Sequence, residues 1–102
     1  MEYAIILIKT KTDDTALEIA GRQICQLKDK AFQFNIIVID CILTSAGAKD
    51  ILKKMKSICE TTAIDSVLIY EPRQICKNVT EYNSFVDTLA KEYGVRVRAL
   101  RY

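Results

Sequence analysis

Histidine and tryptophan are absent from this chain, proline occurs once and glycine three times. Without histidine no ordinary side chain titrates near neutrality. Any acid–base or nucleophilic chemistry therefore falls to Lys, Arg, Asp, Glu, Tyr, Ser, Thr or Cys. So little glycine and proline leaves scant room for linker or low-complexity sequence, and neither G-x-G-x-x-G nor a Walker A sequence occurs. The four cysteines, Cys25, Cys41, Cys59 and Cys76, lie 16, 18 and 17 residues apart. With no C-x-x-C pair and no histidine they make a poor metal site, and neither metal nor cofactor is expected. The opening apolar run, residues 5–8, is far too short for a signal peptide. No stretch approaches the ~20 apolar residues of a membrane span. A cytoplasmic setting with free thiols is the expectation. Charge of one sign is lacking too: 15 basic against 13 acidic residues leave a net +2, whereas a dedicated nucleic-acid-binding domain is usually much more basic. Contact with DNA would need a local patch such as Arg96, Arg98 and Arg101, whose plainer reading is a solvated strand face.

What is present fits one folded domain spanning residues 1–102, half of it apolar. Residues 3–9, Tyr-Ala-Ile-Ile-Leu-Ile-Lys, read as a central strand covered on both faces. Asp13 and Asp14 suit a helix start. Ala16, Leu17, Ala20, Ile24, Leu27 and Ala31 then fall on one helical stripe, in which Gly21 would mark close packing. Residues 34–42 read as a second buried strand. Thr44 or Ser45 would cap a second helix carrying Ala48, Ile51, Leu52, Met55, Ile58 and Cys59, with Lys53, Lys54 and Lys56 on its other face. Residues 65–70 form a third strand, stopped at Glu71-Pro72. Val79, Tyr82, Phe85, Val86, Leu89 and Tyr93 define a third helix, closed by Gly94, and its Tyr82, Phe85, Leu89 and Tyr93 stripe reads as core rather than interface. Val95, Val97 and Ala99 alternate with Arg96, Arg98 and Arg101 as a half-exposed strand near the sheet edge. The order βαβαβαβ, with helices of 12–18 residues between strands, predicts a mostly parallel four-stranded α/β sheet with helices on both faces.

In such sheets ligands bind beyond the carboxyl ends of the strands, here segments 9–15, 40–49 and 71–78. Lysines stand on all three, with hydroxyls between them: Lys9, Lys11, Lys49 and Lys77, joined by Arg73. They could hold an anion such as a phosphate, or be ordinary surface charge. A phospho-receiver domain shares the element order and Asp13-Asp14 suits its acidic pair. It would need an aspartate after the third strand, where Tyr70-Glu71-Pro72 supplies only a glutamate.

The loops also follow a known order. After the first strand comes Leu7-Ile8-Lys9-Thr10-Lys11-Thr12-Asp13-Asp14, and the first helix carries Gln23. After the second strand Asp40, Ser45 and Gly47 precede Lys49-Asp50-Ile51-Leu52-Lys53-Lys54-Met55. The third strand, Asp65-Ser66-Val67-Leu68-Ile69-Tyr70, leads to Arg73-Gln74-Ile75-Cys76-Lys77-Asn78, and the helix from Glu81 ends in Gly94-Val95-Arg96-Val97. This series resembles the catalytic domain of resolvase/invertase serine recombinases over nearly the whole chain. That family has Y-x-R-V-S-T-D-x-Q after its first strand, an R-P-x-L/F-x-x-M helix start, and D-R-L-S-R-N after D-x-V-L-V-Y. The resemblance implies a resolvase-like, flavodoxin-like fold and a role in DNA recombination, as in mobile elements.

It also implies which positions match the family's active site: Lys9, Lys11, Gln23, Asp40, Lys49, Gln74 and Lys77. In the family a serine attacks a DNA phosphodiester while arginines stabilise the transition-state charge. Here Lys11 stands at the serine position, which a lysine amine cannot replace. Lys9, Lys49, Gln74 and Lys77 stand at arginine positions, and Arg73 at an aspartate. Lysine keeps charge but loses the planar fork that grips two phosphate oxygens, and Gln74 loses the charge as well. Thr10 and Thr12 flank Lys11 and in an extended segment point the other way. The expectation is a recombinase-like domain without strand cleavage, also lacking the family's later long helix and DNA-binding module. Lys9, Lys11, Lys49, Arg73 and Lys77 would contact an anion or DNA. The partners would be DNA or an active recombinase, with a homodimer possible. The other open reading is a small anion- or nucleotide-binding flavodoxin-like module.

Overall fold

The computed structural model describes residues 1–101. In chain order the elements are β1 (Glu2–Lys9), α1 (Asp14–Gln33), β2 (Ile36–Thr44), α2 (Ala48–Thr61), β3 (Ser66–Ile69), α3 (Pro72–Ile75), α4 (Val79–Tyr93) and β4 (Arg96–Ala99). The four strands form one sheet in the order β2-β1-β3-β4, and every pairing is parallel.

β1 is central because it is apolar on both sides. Ala4 through Ile8 are all at most 2% exposed. Its alternate residues feed two cores. Ala4, Ile6 and Ile8 pack with Ala20, Leu27 and Ala31 of α1. Ile5 and Leu7 pack with Ile51 and Met55 of α2 and Phe85 and Leu89 of α4. The strand order reverses direction after the first crossover, so α1 covers one face alone while α2 and α4 share the other. The Tyr82–Tyr93 stripe belongs to the second core, as its spacing predicts.

Local chemistry sets the ends. The Ala16 N–H donates to Asp13 Oδ1 at 2.9 Å, which opens α1. Gly94, at φ +66°, closes α4 in the left-handed region. The third strand ends at Ile69, and Pro72 starts α3, a short turn of helix that the sequence pattern does not show.

Four expectations need correction. The second strand is shifted and is an edge, not a buried strand. Phe34 caps α1 instead and Asn35 turns the chain at φ +57°, so β2 starts at Ile36. As the outermost strand it leaves Ile37, Ile39 and Leu43 about two-fifths exposed. Its apolar run made it look interior. A bulge at Ile39 shifts the register between Ala4↔Val38 and Ile5↔Asp40. Gly21 marks no close packing, since a Cβ there would meet nothing within 4 Å. α2 is capped by Gly47 without a side-chain bond. The Thr44 hydroxyl instead accepts from the Ala46 N–H at 3.1 Å. Finally, α1 runs 20 residues, beyond the expected range, because the helix continues through Phe32 and Gln33 to its cap at Phe34.

Polar ties hold the sheet's amino-terminal rim. Arg98 grips Glu2 through two bonds, Nε to Oε2 at 2.8 Å and Nη2 to Oε1 at 2.9 Å. The Ser66 hydroxyl, fully buried, also donates to Glu2 Oε2 at 2.7 Å. The Arg98 bond, then that of Ser66, hold the Glu2 carboxyl below its ordinary value. A depressed carboxylate stabilises the fold at higher pH, and this contribution fades as pH falls below 4.5 and through the folded value. Arg98→Gln is expected to lower stability by about 1 kcal/mol at pH 7. In urea titrations at several pH values, that deficit should shrink towards pH 3. Between α2 and α4, the Tyr93 hydroxyl donates to Glu60 at 2.9 Å. That bond, with some desolvation, pushes the phenol up to about 12. Its contribution is present below the ordinary phenol value and lost as pH rises towards 12. A spectrophotometric titration should show Tyr93 ionising late, and Glu60→Gln should bring its ionisation down towards the ordinary phenol value.

Candidate anion-binding site

The sheet's direction reverses between β1 and β3, so a crevice opens beyond their carboxyl ends. Lys9 ends β1 opposite Thr44 of β2. Lys49 stands in the first turn of α2, and Arg73 and Lys77 flank the end of α3. These four cations line one open groove of about 820 Å³. Its floor is apolar, built from Leu52, Ile75 and Phe85.

The groove is positive for a second reason. Gly47, Ala48 and Lys49 line it, and no side chain caps that helix start. The unpaired main-chain donors of the first turn of α2 add the positive end of the helix dipole. At α4 one of the equivalent donors is taken: the Glu81 N–H donates to Asn78 Oδ1 at 2.8 Å. Glu81 itself lines the groove, and Glu71 lies 3.6 Å from Arg73, so the positive balance is partly offset on that side.

Gln74 also lines the groove, and its Nε2 donates to Gln23 Oε1 of α1 at 2.7 Å. This bond ties α3 to the helix on the other face of the sheet. The Gln74 Oε1 atom is buried with no partner among the described residues. The pair is neutral, so it positions the α3 turn without adding charge.

Three of the matched positions do not line the groove: Gln23, which reaches it only through Gln74, and Lys11 and Asp40. Lys11 is exposed and does not line the groove. Asp40 pairs with Ile5, four residues before Lys9 and so roughly 13 Å down the sheet, and its Oδ1 accepts from the Cys41 N–H at 2.8 Å. The hydroxyls beside Lys11 are not poised either. Thr10 Oγ1 donates to Lys11 O at 3.1 Å and Ala16 O at 3.3 Å, and neither Thr10 nor Thr12 lines the groove. Cys76 does line it, but burial, then Glu81, push its thiol up against the opposing pull of Lys9. It is a packed apolar side chain and not a ready thiolate.

Thr80 and Ser84 of α4 line the groove and were not singled out by the sequence. Their one signal is i, i+4 spacing on the polar face of α4. The basic strand patch is largely committed within the chain: Arg98 holds Glu2, and the Arg101 guanidinium sits 5.5 Å from the Tyr70 ring centroid. Arg96 remains exposed.

The all-parallel sheet of order 2-1-3-4 with helices on both faces is an α/β fold, and in fold it resembles the catalytic domain of a serine recombinase. One solved structure with this likeness is the C-terminal catalytic domain of ISC1926 TnpA, an IS607-like serine recombinase. It superposes with a TM-score of 0.78 at 20% identity, over 98% of this chain and 70% of that one. No protein-family model and no curated protein matches the chain. Among the described residues no helix is long and apolar enough to cross a membrane.

The Gln pair can be tested directly. Gln23→Ala strands both polar atoms of the Gln74 amide, and is expected to destabilise by about 1–3 kcal/mol. Gln74→Met removes the stranded group and should largely restore a Gln23→Ala chain, as read from urea midpoints in a double-mutant cycle.

Proposed function

We propose that this chain is a serine recombinase-like domain that holds nucleic-acid phosphate in the Lys9–Lys49–Lys77 groove without cleaving it. The observation that carries the reading is the convergence of Lys9, Lys49, Arg73 and Lys77 on one groove, at the strand ends where a recombinase-like fold would handle DNA. Lysines supply charge without the bidentate grip that a phosphoryl transition state rewards. No hydroxyl of the β1–α1 loop faces the groove, and the Gln74–Gln23 bond is neutral where the resemblance puts a charged group. Phosphate held in this way is bound in its ground state, and the barrier to its chemistry stays high. Such a domain would act beside an active recombinase, as a binding or regulatory partner.

Fluorescence anisotropy with a labelled duplex at low salt should give weak, salt-sensitive binding. Each of Lys9→Gln, Lys49→Gln and Lys77→Gln should weaken it and reduce the salt slope by about 1. A nicked suicide duplex should yield no covalent protein–DNA adduct on a denaturing gel. Absence of duplex binding at low salt would overturn the phosphate reading, and a trapped adduct would overturn the non-cleaving one.

A further inference from the structure

Among the described residues α1 is the only helix on its face of the sheet, and it lies over β1 and β2. The half of that face over β3 and β4 is left without a helix, and a second hollow of about 330 Å³ opens between α1 and β4. It is separate from the lysine groove, with which it shares no residue. Leu27, Ala31 and Leu68 form its floor, and Phe34, two-thirds exposed, forms a wall.

The charge around it is one-sided. Lys30, Arg96 and Arg98 line the hollow, and among the described residues no acidic side chain does. Arg98 is neutralised by Glu2. Lys30 and Arg96 have no ion-paired carboxylate among the described residues. The Lys30 ammonium instead lies 5.8 Å from the Phe34 ring centroid, held at the rim of the hollow. An apolar floor of small-molecule size beneath two cations that are not ion-paired, although Glu2 already feels the charge of Arg96, matches one kind of occupant.

We propose that this hollow is a binding site for a small apolar-bodied organic anion: an alkyl or aryl body on the floor, with its carboxylate or sulfonate between Lys30 and Arg96. Charge complementarity and size argue for it together. A free inorganic anion would gain nothing from the floor, and a neutral hydrocarbon would leave both cations unpaired.

The probes are 8-anilinonaphthalene-1-sulfonate, followed by its fluorescence, and decanoate as competitor. Saturable binding is expected, with decanoate displacing the dye. Amide shifts in the ¹⁵N-labelled chain should cluster at Lys30–Phe34 and Arg96–Leu100. Arg96→Glu and Lys30→Glu should each weaken binding roughly tenfold, while Lys53→Glu, on the exposed face of α2, should not. Both hollow positions are exposed, and an unchanged urea midpoint separates lost binding from lost folding. Four outcomes would overturn the proposal: no saturable binding up to ~1 mM, binding indifferent to both reversals, shifts centred elsewhere, or an acidic amphipathic peptide taking the hollow where decanoate does not.

Discussion

Burial of β1 on both faces is the constraint from which the other elements take their places. Ile5, Ile6, Leu7 and Ile8 are all but sealed from water. At ~1.5–3 kcal/mol for each fully buried aliphatic side chain, these four alone supply an amount comparable to the whole net stability of a domain, about 5–15 kcal/mol. Leaving either face of β1 wet would forfeit about half of that. One helix on one side and two on the other are the means by which a single strand is covered twice. The lopsided cover has two products: a lysine-lined groove at the strand ends, and a half-bare sheet face beyond α1.

The architecture was legible because periodicity reports burial. Continuous apolar sequence marked β1 and β3, and three-and-four spacing marked the helices. The same rule misplaced β2, since Ile36 to Ile39 are as apolar as an interior strand while the position is an edge. Strand order is a tertiary outcome that depends on which way each crossover turns, and local pattern does not encode it. α3 escaped for a different reason: four residues are too few to show a period, and Pro72 signals only that something has ended.

Legibility of the site divides along similar lines. Lys9, Lys49, Arg73, Gln74 and Lys77 were found because they follow strand ends, and topology brings strand ends together. Lys11 and Asp40 were matched by position in a series, and position alone does not say where a side chain points. The bulge at Ile39 sets Asp40 on the strand's flank, where its carboxylate serves its own backbone. Thr80, Ser84 and the uncapped start of α2 belong to helix faces, and their role depends on how α2 and α4 lean towards each other. The Gln74–Gln23 bond joins residues 51 apart in sequence, and only the folded chain reveals it.

A sheet with no antiparallel pair contains no hairpin, and this gives the chain an order in time. β1 leaves the ribosome before the strands it pairs with: its nearer neighbour starts at Ile36 and its other neighbour at Ser66. At ~5–20 residues per second of synthesis, its most apolar segment waits several seconds for the second partner. Loop closure must be completed before either pairing returns any free energy. During that interval the strand that later anchors the fold is its most exposed liability. Helix α1, local and quickly formed, is the one element in place early enough to shield it.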